Sequence, residues 1–333
     1  MKKVFSFNSE LNKVTGVQKV MMDIHSAVRD MFVAKIVGTI PYEEIDINHN
    51  IRNEEYIRFK NPFIFYKSIV IVHERRYLLL FWLLKFVLFQ QVKIIYVHHN
   101  IFNNHRLLSV MPQAVVSISD RCTENLISYF KVPLENIHKI YNCVRDVAPI
   151  PKKSDDRNVI RILYPARINS VKRQIEIYER LKGRIDKRIE IHFAGVGPKY
   201  DDLIKILRNE KQFIALGFRN DIVNLIYEYD YVMLYSKHEG LPISLIEAAM
   251  CSTPIICNDV GGNTEIAINN KNAFVVNDWD DLIHTINSLT NIEAEEYLRL
   301  CKGSRDLYEK KFTFDRFQKA YIRLLSSLLK DKK

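Results

Sequence analysis

Tyr235-Ser-Lys-His-Glu-Gly-Leu-Pro-Ile-Ser-Leu-Ile-Glu-Ala-Ala-Met250 is the stretch on which the reading of this chain turns. The apolar run 231–235 reads as a strand and the polar residues 236–240 as a loop. Pro242 marks the first position of a helix, where its missing N–H costs nothing. A strand that leaves through a loop into a helix is the repeating unit of parallel α/β sheets. Glu239 and Glu247 lie eight residues apart, so on one continuous helix they would point about 80° apart. With Glu239 in the loop and Glu247 on the helix, both can face one pocket. The free N–H groups of the helix start suit a phosphate, and a carboxylate suits vicinal ribose hydroxyls. The plainer alternative is a solvated loop glutamate and a helix-surface one.

Outward from that segment the same alternation continues. In the first half, strand-like runs at 3–7, 68–72, 92–97 and 115–119 alternate with helical patterns at 17–29, 77–89 and 121–130. Ser68-Ile-Val-Ile-Val72 is nearly all β-branched, as expected of a strand buried on both faces. Pro149, Pro151 and the polar run 152–158 read as a linker. Strands then recur at 159–164, 189–194, 254–258 and 273–276, with helices at 171–182 and 200–209 and after Pro242. An amphipathic helix at 315–329 and a Lys-rich tail close the chain. Two doubly wound α/β domains follow, with ligands expected at strand C-terminal ends in the cleft between them.

Composition narrows the class. Of 333 residues, 47% are hydrophobic and 26% charged, which excludes a disordered chain. The five cysteines (122, 143, 251, 257 and 301) form no Cys-x-x-Cys pair and fit reduced thiols in a cytoplasm. The apolar run 4–7 is too short for a signal segment, and 77–89, interrupted by Lys85, is too short to span a bilayer. That second stretch has two readings. It is a helix buried all round, or a surface that dips into a membrane, flanked by Arg75, Arg76 and Lys85. The net charge is 49 − 39 = +10, split as 19 − 13 = +6 over residues 1–150 and 30 − 26 = +4 over 151–333. The lean toward the shorter half favours an anionic membrane or a lipid diphosphate. No basic stripe with interleaved aromatics supports nucleic acid as a partner.

Arg167 and Lys172, just after a strand and across a turn, can clamp a diphosphate. A solvated surface pair is the alternative. Gly195-Val-Gly197 lacks the third glycine of a dinucleotide fingerprint, which argues against a dehydrogenase.

Taken together, these segments resemble the family 4 retaining glycosyltransferases of the GT-B fold. Glu239-x7-Glu247 within Glu-Gly-Leu-Pro…Glu-Ala is similar to that family's signature. Tyr164-Pro-Ala-Arg-Ile-Asn-Ser-Val-Lys172 resembles its Gly-Arg…Lys segment, with Ala166 in place of the glycine. His192-Phe-Ala-Gly-Val-Gly-Pro198, Leu216-Gly-Phe-Arg-Asn-Asp221 and Gly261-Gly-Asn-Thr-Glu265 follow in the family's order. In the first half, Lys13-Val-Thr-Gly-Val-Gln-Lys19 resembles the loop before the first helix, with Thr15 and a single glycine, Gly16. The strand-end His98, beside His99, resembles the family's catalytic histidine.

The resemblance implies an acceptor-binding domain over 1–148 and a nucleotide-sugar-binding domain over 149–311. A C-terminal helix and tail over 312–333 would cross back to the first domain. Glu247 is expected to bind the ribose and Glu239 the transferred sugar. Arg167 and Lys172 would neutralise the leaving diphosphate, with Gly195, Gly197, Gly240, Leu241 and Pro242 lining the donor. His98, rather than His99, is expected to face the cleft. The implied activity is transfer from a UDP- or GDP-sugar to a saccharide or lipid-linked acceptor in bacterial O-antigen, capsule or exopolysaccharide assembly. It would take place in the cytoplasm, in peripheral contact with the membrane's inner leaflet. A GT-B sugar-nucleotide epimerase is the alternative enzyme. Asp278-Trp-Asp280 matches a metal-binding motif of a different glycosyltransferase fold. Its place between a strand and a helix makes a helix cap the better explanation, so no metal and no cofactor are expected beyond the nucleotide-sugar co-substrate.

Overall fold

Each strand that carries this fold pairs in parallel with its neighbours, so each helix must return the chain across a sheet face. The computed structural model describes residues 2–89, 91–147 and 159–330. The linker expected at 149–158 lies outside the described residues. Two compact units are present: Met1–Cys143 with Phe314–Lys333, and Val144–Thr313.

In the first unit, β1 (Lys3–Phe7), β2 (Val33–Gly38), β3 (Tyr56–Arg58), β4 (Ser68–Val72), β5 (Val92–His98), β6 (Ala114–Ser117) and β7 (Ile137–Lys139) form one sheet in the order β3-β2-β1-β4-β5-β6-β7. Helices α1 (Gly16–Val28), α2 (Leu78–Val87) and α3 (Asp120–Ser128) provide crossovers. Under the sheet, Phe81 of α2 meets Phe7 edge-on at 5.0 Å and tilts against Phe65 at 5.5 Å. Truncating a ring held this way costs about 3–5 kcal/mol, so Phe81→Ala is the single change that would loosen α2 from the sheet. Ser119 caps α3 by accepting from the Cys122 amide at 3.1 Å, the satisfied donor expected of a good N-cap.

In the second unit, β8 (Ile160–Pro165), β9 (Ile189–Ala194), β10 (Phe213–Gly217), β11 (Tyr231–Leu234), β12 (Ile255–Asn258) and β13 (Ala273–Val276) form a parallel sheet ordered β10-β9-β8-β11-β12-β13. The order reverses between β8 and β11, which are paired through Ile162 with Tyr231 and Leu163 with Val232. Helices α4 (Gln174–Leu181), α5 (Tyr200–Leu207), α6 (Ile222–Tyr227), α7 (Ile243–Met250), α8 (Asn263–Ile266), α9 (Trp279–Ser288) and α10 (Ala294–Lys311) complete it. The final helix, α11 (Phe314–Lys330), belongs to the first unit and lies along α1, where the Gln318 amide donates to the Ala27 carbonyl at 3.1 Å.

Two helix starts differ from the sequence expectation. α4 begins at Gln174 because the Asn169 side chain accepts from the amides of Val171 and Lys172 at 3.0 and 2.9 Å. That local turn competes with helix, and Arg173 then takes a left-handed φ of 60°. Pro242 is the N-cap of α7, at φ −72° and ψ 121°, so the helix starts one residue later, at Ile243.

Candidate functional site

Reversal of strand order opens a crevice at the C-terminal ends of β8 and β11, the place where open α/β sheets take ligands. Tyr164 ties the two loops together there. Its fully buried hydroxyl donates to the Lys172 carbonyl at 2.7 Å and accepts from the Tyr235 amide at 3.0 Å. Burial pushes this phenol's pKa up, so it stays a neutral donor. The loop after β8 is fixed again by Gln174, whose amide donates to the Arg167 carbonyl at 3.2 Å. The loop after β11 is held by Asn258 at the end of β12, which accepts from the Ser236 amide and donates to the Ser236 carbonyl at 3.1 and 2.8 Å.

These loops bring Lys172 and Glu239 into contact, with Nζ 2.5 Å from Oε1. Glu239 is 7% exposed, and a buried carboxylate needs such a partner. Arg167 stays exposed, and its guanidinium has no carboxylate partner among the described residues. The glycines of the 195–197 turn pack on the backbone beside it. A β-carbon at Gly197 would stand 2.3 Å from the Ile168 carbonyl oxygen, and one at Gly195 2.2 Å from that of Ala166. Only glycine allows this approach.

Glu239 owes its place to a residue on another loop. Gly261 has φ 55°, and a β-carbon there would lie 2.0 Å from the Glu239 carbonyl oxygen. The neighbouring Gly262 amide donates to the Gly240 carbonyl at 2.8 Å. Leu241 is buried, and Glu247, 8% exposed, lies on α7 beyond the Pro242 cap. The amides of Ile243 and Ser244, at the start of that eight-residue helix, have no acceptor among the described residues. The second unit therefore assembles Arg167, Lys172, Gly195, Gly197, Glu239, Gly240, Leu241, Pro242 and Glu247 on the loops after β8, β9 and β11 and on α7. Asn169 and Gly261 lie in segments already singled out for their resemblance and Asn258 does not, but the sequence assigns none of the three its positioning role. Asn169, two residues before the turn it holds, was the most legible of them.

Asp278 caps α9, its carboxylate accepting from the Asp281 amide at 2.9 Å, and Asp280 pairs with Arg184 at 2.9 Å. The two carboxylates of the Asp-x-Asp stretch thus have separate structural partners.

In the first unit, Thr15 is the N-cap of α1 and Gly16 its first residue. The Thr15 hydroxyl bonds to Gln18, whose amide donates to the Glu10 carbonyl at 3.0 Å. His98, the expected cleft-facing histidine, does not present its ring to solvent. Its ring is 0% exposed, enclosed by Tyr96, Phe102 and Phe130, with Nε2 3.0 Å from Asn125 Oδ1. Burial lowers its pKa to about 4. Successive residues point to opposite sides of a strand end, and here His99 is the partly exposed one. It stacks on His73, with Nε2 3.0 Å from His73 Nδ1, and burial lowers its pKa to about 3.

Two parallel sheets of seven and six strands, each flanked by its own helices, are the GT-B glycosyltransferase architecture. The structure matches that of Anabaena Alr3699/HepE in complex with UDP at a TM-score of 0.83, covering 98% of this chain and 100% of that one at 18% identity. It is also similar to a glycosyltransferase from Rickettsia africae, at a TM-score of 0.79, 99% of each chain and 18% identity. Within this architecture, residues 148–306 match the model of the glycosyl transferases group 1. Among curated relatives, Escherichia coli O-antigen biosynthesis glycosyltransferase WbnH is 29% identical over 165 residues, 48% of this chain and 47% of its own length. The E. coli UDP-Gal:alpha-D-GlcNAc-diphosphoundecaprenol alpha-1,3-galactosyltransferase is 30% identical over 91 residues, 27% of this chain and 23% of its own. The chain thus spans about half or less of the length of these relatives.

Proposed function

We propose that this protein is a retaining glycosyltransferase that moves a sugar from a UDP- or GDP-sugar to a saccharide or lipid-linked acceptor during bacterial surface-polysaccharide assembly. The observation that carries the reading is the Lys172–Glu239 contact, with the exposed Arg167 on the same loop after β8, at the β8/β11 crevice. One cation held by a carboxylate and one left to solvent are what a diphosphate needs on arrival. In this reading Arg167 and Lys172 take up the charge that develops on the leaving diphosphate as the bond to the sugar's anomeric carbon breaks. The acceptor hydroxyl attacks on the same face and passes its proton to the departing phosphate oxygen. Glu247 binds the ribose and Glu239 the sugar hydroxyls, and the amides that open α7 assist at the phosphate. The two cations do the work a metal would do, so transfer proceeds without one. We assign the acceptor to the first unit, near Thr15 and Gly16. His99 takes the role that the resemblance gave to His98.

UDP is the first nucleotide to test, because the Anabaena structures are complexes with UDP and UDP-glucose. The work would occur at the cytoplasmic face of a membrane, where a lipid-linked acceptor would be met. Glu247→Ala, assayed by calorimetry and by transfer against UDP-, GDP- and ADP-sugars, should weaken binding of one nucleotide class about a hundredfold or more. A variant that binds and transfers as well as wild type from every donor overturns the reading. Turnover of the donor without acceptor would instead favour an epimerase.

A further inference from the structure

Helix α2 carries two apolar faces. Leu78, Phe81 and Leu84 are buried against the sheet. Leu79, Trp82, Leu83, Phe86 and Val87, spaced i, i+3, i+4, i+7 and i+8, form a second stripe on the opposite side, and all are exposed. Trp82 is 41% and Phe86 56% exposed, and the two rings meet edge-on at 5.0 Å. A helix serving only as core has no need of that second stripe.

The patch continues beyond the helix. Arg75, just before α2, donates to the Asn104 carbonyl and to Ser109 Oγ at 2.5 and 3.1 Å, which fastens the 104–109 loop beside it. That loop presents Leu107, 95% exposed, and the exposed Leu108. Between α2 and the following segment lies a cavity of about 230 Å³ lined by Trp82, Lys85, Met111 and Pro112, among others. The charge of the region is one-sided. Residues 75–119 contain no Asp or Glu and five Lys or Arg, at positions 75, 76, 85, 93 and 106. Among the described residues, Lys85 and Arg106, which flank the apolar stripe, have no carboxylate partner.

We propose that the outer face of α2, together with Leu107 and Leu108, inserts into the headgroup region of an anionic bilayer. Trp82 and Phe86 would lie at the interface, with Lys85 and Arg106 among the lipid phosphates. An aromatic and aliphatic stripe rimmed by unpaired cations is complementary to anionic lipid. It is not complementary to itself: a second copy docked on this face would set Lys85 and Arg106 against their own kind with no carboxylate to meet them. No helix among the described residues is long and apolar enough to cross a membrane, so attachment by this face would be interfacial. The inference deepens the membrane-side reading given above and rests on it for location, but its test needs no transfer activity.

The full chain is mixed with vesicles of phosphatidylcholine alone or with phosphatidylglycerol, and bound protein is measured by sedimentation. Binding to anionic vesicles is expected, falling steeply with salt. Trp82→Ser/Phe86→Ser should lower the partition coefficient about a hundredfold, since each buried aromatic is worth roughly tenfold or more. The chain has two tryptophans, so Trp279→Phe leaves Trp82 as sole reporter with the patch intact. Its emission should shift to the blue and be quenched by brominated lipid. Equal binding by the double variant, or a Trp82 signal unmoved by anionic vesicles, overturns the proposal. So does a dimer in sedimentation that the double variant dissolves, which would assign the face to a second copy.

Discussion

Lys172→Met removes one partner of the contact on which the site is built. Glu239 is then left almost fully buried, while Lys172 itself is 20% exposed along its side chain. Removing one member of a buried ion pair costs about 3–5 kcal/mol. Partial solvation of the lysine reduces that to about 2–3 kcal/mol. The second unit spans 170 residues (313 − 144 + 1), and at about 2–4 °C per kcal/mol its melting point should fall by roughly 5–10 °C. Because a two-unit chain need not unfold in one step, the probe must report on this unit alone. In a Trp82→Phe background the remaining tryptophan, Trp279, belongs to the second unit and lies under the Arg173 guanidinium at 4.4 Å. Urea unfolding followed by its fluorescence should show the loss. Glu239→Gln on top of Lys172→Met should restore part of it, giving a coupling of about 1.5 kcal/mol or more in the double-mutant cycle. A single-variant cost under about 0.5 kcal/mol with no coupling would mean that the pair holds nothing together. The assignment of Lys172 as a pre-positioned cation would then fall with it.

Three further outcomes follow from the same geometry. His98 carries a proton below about 6.5 when unfolded but only below about 4 when folded. The stability it protects is therefore complete above pH 6.5 and lost as pH falls toward 4, by about 3 kcal/mol. In a Trp279→Phe background, urea unfolding read by Trp82 should show this slope, and His98→Phe should flatten it. Gly261→Ala forces a β-carbon to within 2.0 Å of the Glu239 carbonyl at φ 55°, at a cost of about 2–4 kcal/mol. Gly183→Ala, at φ 70° with nothing within 4 Å, should cost about 1 kcal/mol, and thermal unfolding compares the two. Asp278→Ala should lower stability by about 1 kcal/mol through loss of a cap. Transfer should then be unchanged with or without a chelator, whereas a metal-dependent loss would revive the Asp-x-Asp reading.

Long apolar runs were the legible part of the fold. β1, β4 and β9 appear where the residues 3–7, 68–72 and 189–194 predict them, and β4, nearly all β-branched, is buried along its whole length as a strand covered on both faces must be. β3 and β7 were not legible: each is three residues long at a sheet edge, and Tyr56-Ile-Arg58 and Ile137-His-Lys139 carry too little pattern to register. Helix starts shifted wherever a side chain offered the backbone another partner, as Asn169 does before α4.

The site divides along the same line. Two carboxylates and two cations are candidates by residue type, but spacing alone leaves a solvated surface open for each, and it is the family resemblance that gives them roles. What spacing cannot carry is which side of a strand end a residue faces, because a shift of one position reverses it. His98 and His99 are equivalent as letters, yet one is packed among three aromatic rings and the other stacks on His73. α2 makes the converse point. Its sequence, Leu78-Leu-Leu-Phe-Trp-Leu-Leu-Lys-Phe-Val87, is apolar all round and so fits burial and membrane contact equally well. The structure divides the helix into a buried and an exposed side, since only one side of it reaches the sheet. An all-apolar helix on a single-layer flank has one face more than its core can use, and the surplus face is where an outside partner is to be sought.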